Sequence, residues 1–584
     1  MEVIHNLGIL SIKKNVGENV GFMLANLKGS YCCFYGTYSS RYQGLFYFDD
    51  KTMEMYKFIE SIELIGDNSV SSLKNGFYFA ERRKGDVIES FVMPKNSSSL
   101  IYELSGEQEI DLILDCKLSA DNREWGRYYN VFEEKGCIIV KFTKKTDMRE
   151  DSTNNEEEFI LHLAVKGSEG SFQKNNRWVE RSYSSDEKRN SHPFKRYVYN
   201  ALRLKGNKFV FSVSKSKNNA IEECLKIFSG ADGAKKNEKE LFIQALNNKS
   251  IKRILKNDAI RNEIKIAYLG AFNSLEKLAV ENKANFGLFA GLPWFFQFWA
   301  RDALISWKAL SKISREFSKR LLFDYLSRIN TDGRLANLAG MHDSKNLGCA
   351  DAHGWLFFRC NELIGEINEN KAVINSIKKS AHLIRQSKNA GSERVKEYLK
   401  KITSVMLKKE NECHKMLYEM EGPLEKSING ILKFHTRDNF EINEKLETWM
   451  DTEAEEKERE GISIEIQALR LNMHRLMFEL TQNHKYRALE NILKIKVRSK
   501  FWNGKILADG LGDFTARPNA FIAAYAYPEL LSQKEWEGCF ENFMKNLWLE
   551  WGGLSTIDKN NRLFVDESTG EDIKAITGGT HGSG

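Results

Sequence analysis

The chain is 584 residues long, too long for one domain and suited to two or three. Its 42% hydrophobic and 11% aromatic content supplies sizeable cores and excludes wholesale disorder. A balance of 87 basic against 80 acidic residues leaves +7, with no dense basic block beside exposed aromatics, which argues against a nucleic-acid partner.

The N-terminal MEVIHNLGILSIKKN lacks the apolar core and cleavage site of a signal peptide. Up to about residue 215 the pattern is alternation or short β-branched and aromatic runs. These predict strands at 31–38, 44–48, 110–116, 137–143, 158–165 and 208–213, separated by turn signals such as Gly29-Ser30, Asp49-Asp50 and Gly206-Asn207. The run from Lys195 to Lys208, interrupted by Tyr, Leu and Gly, reads as a solvated strand face. Many short strands without intervening helical pattern predict a β-sandwich over 1–230. Residues 230–240, GADGAKKNEKE, read as a linker.

From about 235 the period becomes 3.6, and amphipathic helices or helix pairs are predicted at 257–283, 302–329, 353–389, 393–417, 461–496 and 518–549. Ten or so paired helices point to an α-solenoid or a closed α/α toroid over 231–584, and the lack of a fixed repeat argues against the open solenoid. The most apolar stretch, Phe286 to Ala300, is too short to span a bilayer and is interrupted by Gly291, Pro293 and Gln297. No membrane partner and a cytoplasmic location are expected. Nine cysteines without a CxxC pair do not form a disulfide framework, and adjacent Cys32 and Cys33 read as buried thiols. Nine of the eleven tryptophans lie in the helical half, mostly near predicted loops, where they serve either as packing residues or as faces for sugar rings.

Four clusters carry chemistry-bearing residues. In AGLPWFFQFWARDALISWKAL (290–310), an aromatic run ending at Trp299 precedes Arg301 and Asp302 at a helix start. Asp302 fits an N-cap, and an Arg beside an Asp at an aromatic loop also fits a donor–acceptor pair for sugar hydroxyls. In CADAHGWLFFRCNEL (349–363), Asp351 is placed to cap a helix, with Trp355 one turn beyond. In LETWMDT (446–452), Asp451 follows Trp449 and reads either as an ordinary loop Asp or as a carboxyl whose aromatic neighbour suits it to work as an acid. On the helix after it, Glu465 lies on the inward stripe with Ile462, Ile466 and Leu469. A carboxylate there is costly unless it is paired with an Arg or used in function. In DFTARPNAFIAAYAYPELL (513–531), Arg517-Pro518-Asn519 marks a helix start or a pocket wall.

In this order, PWFFQFWARD, ADAHGW, TWMDT with IEIQAL, and RPN resemble the amylo-α-1,6-glucosidase domain of glycogen debranching enzymes and, more distantly, glucoamylases. The resemblance covers roughly 240–584. It implies an N-terminal antiparallel β-sandwich followed by an (α/α)6 toroid of the six-hairpin glycosidase type, with a pocket for a non-reducing-end glucose. By that resemblance Asp451 is the catalytic general acid. Arg301 and Asp302 bind hydroxyls, and Trp299, Asp351, Trp355, Trp449, Glu465 and Arg517 shape the substrate-binding pocket. The implied partner is glycogen or a branched α-glucan oligosaccharide, and the implied activity is inverting, exo-acting removal of α-1,6-linked glucosyl stubs without a glucanotransferase. A glucoamylase- or trehalase-like α-glucosidase, or an inactive glucan-binding homologue, is the alternative.

The resemblance departs near the end. The family's catalytic base lies in a YH-x-G segment followed by an acidic residue and Trp, whereas the chain ends in TGEDIKAITGGTHGSG. His581-Gly582 matches the start of that segment. The base and the toroid's last helix are therefore expected beyond Gly584, with Asp566, Glu567, Glu571 and Asp572 as nearby substitutes. No metal-ligand spacing, phosphate-cradling loop or nucleophile elbow occurs, so no cofactor is expected.

Overall fold

The structure, a computed structural model, is described for residues 1–6, 10–17, 19–66, 69–146, 156–282, 286–339, 349–386, 393–451, 459–550, 552–562 and 564. The chain divides into two compact units, Met1–Phe298 with Lys312–Ser314, and Trp299–Ser311 with Arg315–Gly584.

The first unit is built on a 15-stranded sheet. Tyr31–Tyr35, Gly44–Asp49, Cys137–Lys145 and Glu157–Gly167 form strands where the alternation predicts them. The runs at 110–116 and 208–213 belong to longer strands, Ser99–Leu118 and Lys195–Ser214, which pair antiparallel with each other. Each exchanges its other neighbour along its length. Ser99–Leu118 pairs first with Val87–Val92 and then with Glu54–Leu64. Lys195–Ser214 pairs first with Phe172–Ser182 and then with Glu157–Gly167. A register shift between Glu103 and Gln108 accompanies the exchange, as expected where a strand bends. The expected antiparallel sandwich is thus one hydrogen-bonded sheet. Residues from strands far apart in it, such as Phe34, Leu112, Val140 and Phe211, share one core. One pair, Glu2–Asn6 with Val70–Asn75, is parallel. From Lys195 to Val198 side chains alternate exposed and buried, the signature of a half-solvated strand.

Among the described residues, five helices complete this unit: α1 (Ser184–Lys188), α2 (Lys217–Ser229), α3 (Ala231–Leu246), α4 (Lys249–Leu255) and α5 (Asn262–Lys277). The segment read as a linker at 230–240 is α3. Its Ala, Lys and Glu are good helix formers, and buried Glu238 accepts a hydrogen bond from the Lys95 backbone N–H at 2.9 Å. The expected boundary at 230 therefore falls inside the first unit.

The second unit holds α6 (Ala300–Ile313), α7 (Arg315–Ser327), α8 (Ala352–Gln386), α9 (Glu393–Phe434), α10 (Ile464–Thr481), α11 (His484–Phe501), α12 (Asn519–Ala526) and α13 (Gln533–Leu547). Local chemistry ends and starts these helices. Gln482 closes α10 in the left-handed region at φ 54°, and the Asn483 side chain caps α11 through the Lys485 N–H at 3.0 Å. Ser532 and Glu535 form a reciprocal capping box on α13. Helix α10 packs against α8, α9, α11 and α12, which buries Glu465, Gln467, Arg470 and His474 as well as its apolar residues. A single inward stripe understates this enclosure. Trp307, Trp355 and Trp536 lie within helices and are buried, so the packing reading holds for them. Trp502 and Trp548 sit at helix C-caps. All nine cysteines are buried and unpaired. Asp566, Glu567, Glu571, Asp572 and His581, with the expected loss of a closing helix, lie outside the described residues.

Candidate active site

Arg301 sits in the first turn of α6. That turn is anchored by Asn337, whose carbonyl accepts from the Ala300 N–H at 2.6 Å and whose side chain accepts from the Arg301 N–H at 3.4 Å. The Arg301 side chain is buried and each of its three nitrogens has a protein partner. Nε lies 3.0 and 2.7 Å from the two carboxylate oxygens of Asp351. Nη1 donates to Asp451 Oδ2 at 3.0 Å, and Nη2 donates to Cys349 Sγ at 3.4 Å. The Cys349 thiol donates in turn to Asp351 Oδ1 at 2.9 Å. Burial works against the Arg301 cation, but Asp351, Cys349 and Asp451 together hold its pKa above the usual value. Burial, reinforced by Asp351, pushes the Cys349 thiol up, which keeps it protonated as the donor.

Asp351 precedes α8, as a capping residue would. Its carboxylate nevertheless faces Arg301 and Cys349, and only its carbonyl serves the helix, accepting from the Trp355 N–H at 2.9 Å. The two carboxylates on Arg301 differ in access. The Asp351 side chain is 1% exposed and that of Asp451 27%. Asp451 Oδ1 takes no hydrogen bond from another described residue. Asp302 is the third residue of α6 and does not cap it. Half-buried, it receives no hydrogen bond from a described neighbouring side chain. Burial raises its carboxyl pKa, Asp351 and Asp451 add to the rise, and Arg301 opposes it.

A second network lies at the other end of the Trp449–Asp451 segment. Glu465 is buried on α10 and accepts from Arg459 Nη1 at 2.6 Å and Nη2 at 3.0 Å. Arg459 Nε donates to Asp509 Oδ2 at 2.9 Å, Arg517 Nε stands 3.5 Å from the same oxygen, and Asn519 Nδ2 donates to Asp509 Oδ1 at 2.7 Å. Glu465 thus realises the Arg-paired alternative. Burial raises its pKa, Asp509 adds to the rise, and Arg459 opposes it. Burial likewise lowers the pKa of Arg517, with Asp509 opposing. Pro518 is the N-cap of α12. Asn519 beside it receives the Trp449 indole N–H at 2.6 Å and donates to Met450 Sδ at 3.3 Å. One end of the TWMD segment is thereby pinned to α12 while Asp451 reaches Arg301.

Of the aromatic site residues, Trp299 and Trp449 are half-buried. Trp355 is 5% exposed and packs among Phe358, Tyr525 and the Arg359 guanidinium. Sequence reasoning missed Asn337, Cys349, Arg459 and Asp509. Arg459 stands in an acidic run whose composition gives no sign of burial, and the other three occupy loops without periodicity. Asn519 lay within the RPN signal but had no assigned role. Among the described residues no group of three or more His, Cys, Asp and Glu could hold a metal ion, and no helix is long and apolar enough to cross a membrane.

The sequence profile for amylo-alpha-1,6-glucosidase matches residues 260–575, beginning just before α5 of the first unit. No curated protein sequence matches the chain. Among solved structures, a bacterial glucoamylase complexed with acarbose is similar over 95% of this chain and 84% of that one, with a TM-score of 0.53 and 12% identity. At that identity the likeness shows a shared glucoamylase-like fold, a β-rich N-terminal part followed by a helical C-terminal part, and the chain is a glycoside hydrolase by family and fold together. Since the profile spans more than half of its residues, the chain belongs to the amylo-alpha-1,6-glucosidase family.

Proposed function

We propose that this protein removes single α-1,6-linked glucosyl stubs from glycogen-like glucans, with inversion at the anomeric carbon and with Asp451 as general acid. The observation that carries this is the Arg301 relay. Buried Asp351 anchors the guanidinium, which holds one oxygen of the partly exposed Asp451 and leaves the other unengaged by described residues, as a group that must reach the glycosidic oxygen requires. Arg301 then acts as a positioning residue for Asp451. Asp302, its carboxyl pKa raised, is left to hydrogen-bond a glucose hydroxyl. Inversion requires a second carboxylate about 6.5–9.5 Å from the acid to activate water on the opposite face. The glucoamylase likeness supports an (α/α)6 ring that gathers the loops before α6, α8, α10 and α12 at one mouth, with Trp299 and Trp449 offering rings to the sugar. A cytoplasmic setting, as for a glucan store, belongs to the same proposal.

The test is glucose release from an isomaltosyl-branched substrate compared with a linear maltosyl one. Faster release from the branched substrate supports debranching, and faster release from the linear one makes the protein a glucoamylase-type enzyme. If wild type releases no glucose from either yet binds maltooligosaccharide, the hydrolytic reading fails. Should Asp451→Asn retain turnover and Asp302→Asn lose it, the acid is Asp302.

A further inference from the structure

Helices α8 and α9 run to 35 and 42 residues, about 52 and 63 Å, whereas the other helices of the second unit have 8 to 18. The two helices pack against each other, with Lys378 of α8 paired to Glu410 of α9 at 2.7 Å. Only the inner half of each joins the core of the unit. In the outer halves the buried apolar residues recur every seventh position, Ile367, Ile374 and Ala381 on α8 and Leu399, Met406 and Cys413 on α9. A buried contact every seventh residue on each helix has the heptad period of coiled-coil packing.

A second apolar stripe runs alongside those buried positions and stays uncovered. On α9 it falls at Tyr398, Ile402 and Val405, spaced by four and three as knob positions are, and resumes at Met416 beyond Lys409 and Glu412, while α8 adds Val373 and Ile377. Tyr398, Val405, Val373 and Ile377 are 66%, 51%, 56% and 41% exposed. With the start of α7 these residues line a cavity of about 650 Å³. Apolar surface gathered in this way, in contrast to singly scattered residues, marks an interaction site. Its rim is basic. Lys319, Lys401 and Lys409 line it without an ion pair to any described residue, Arg315 is paired with Glu366, and Glu412 is the one acid.

We propose that this groove docks a third helix, an amphipathic segment of a partner protein whose apolar stripe is flanked by acidic residues. The heptad spacing selects a helix over an extended peptide, because the groove offers holes at coiled-coil intervals to a third set of knobs. Charge selects the partner, since a second copy docked through the same face would bring the same lysines against themselves. The site is separate from the Arg301 cluster and does not rest on the proposed reaction.

The test uses the full chain and two labelled synthetic helices of a few heptads, with Leu at a and d and either Glu or Lys at e and g, in fluorescence anisotropy. The Glu helix is expected to bind at least about tenfold more tightly than the Lys helix. The double change Lys401→Glu with Lys409→Glu should reverse that order. Val405→Asp, at an exposed position, should weaken Glu-helix binding about tenfold while leaving the thermal transition unchanged. Failure of the Glu helix to bind, equal affinity for both helices, binding to phosphatidylserine vesicles in place of the peptide, or self-association that Val405→Asp abolishes would each overturn the proposal.

Discussion

Replacing Asp351 with Asn keeps the shape of the side chain and removes one charge from the least exposed ion pair of the Arg301 cluster. The guanidinium loses one of two acceptors at 3.0 and 2.7 Å and the negative charge behind both, leaving Asp451, whose side chain is 27% exposed, as its remaining anionic partner. Breaking a buried pair by removing one partner costs about 3–5 kcal/mol, because the remaining charge stays desolvated. Asp451 compensates in part, so the lower end, about 3 kcal/mol, is expected. At about 2–4 °C per kcal/mol for a unit of this size, the thermal transition should fall by about 6–12 °C. Urea denaturation followed by circular dichroism of the helical signal measures the loss directly. An Asp351→Asn variant that unfolds within about 0.5 kcal/mol of wild type would show that Arg301 is not carried by Asp351, and the positioning argument for Asp451 would fall with it.

Asp451→Asn should lose turnover on a branched glucan yet unfold within about 1 kcal/mol of wild type, since its single contact with Arg301 is partly solvated; calorimetric sugar binding should persist. Asp302 binds its proton more tightly in the folded chain than in the unfolded one, where its pKa is about 4. Its contribution favours the folded state at low pH and is lost as pH rises through the raised folded value, so Asp302→Asn should flatten that limb of a stability–pH curve. An unchanged curve would mean that the carboxyl is solvated. Arg459→Met should destabilise by about 3–5 kcal/mol by leaving Glu465 and Asp509 buried together, as read by urea denaturation. Glu238→Ala should cost about 1–3 kcal/mol by stripping the Lys95 N–H of its acceptor, and limited proteolysis should then cut within α3. Equal protease resistance would argue against a docked helix there.

The division into a strand-rich and a helical part was legible along the chain, because a period of two and a period of 3.6 are imposed on each segment by whichever face it must bury. The four clusters were equally legible, since Arg301-Asp302, Asp351 and Arg517-Pro518-Asn519 stand in local patterns at helix starts and Asp451 follows Trp449 in TWMDT. The segment 230–240 misled for a local reason: its charges look like a solvated linker, and only Lys95, more than a hundred residues earlier, shows that Glu238 is buried. The assignment of partners belongs to the tertiary structure. Nothing within ADAHGW or TWMDT says that Asp351 faces an arginine fifty residues away while Asp451 faces the same one from the other side. Nor does the composition of the acidic run reveal that Arg459 turns inward to Glu465 and Asp509. Burial and pairing are properties of what surrounds a side chain. A sequence proposes which residues carry charge, and the fold alone decides which of those charges lose water and which neighbour replaces it.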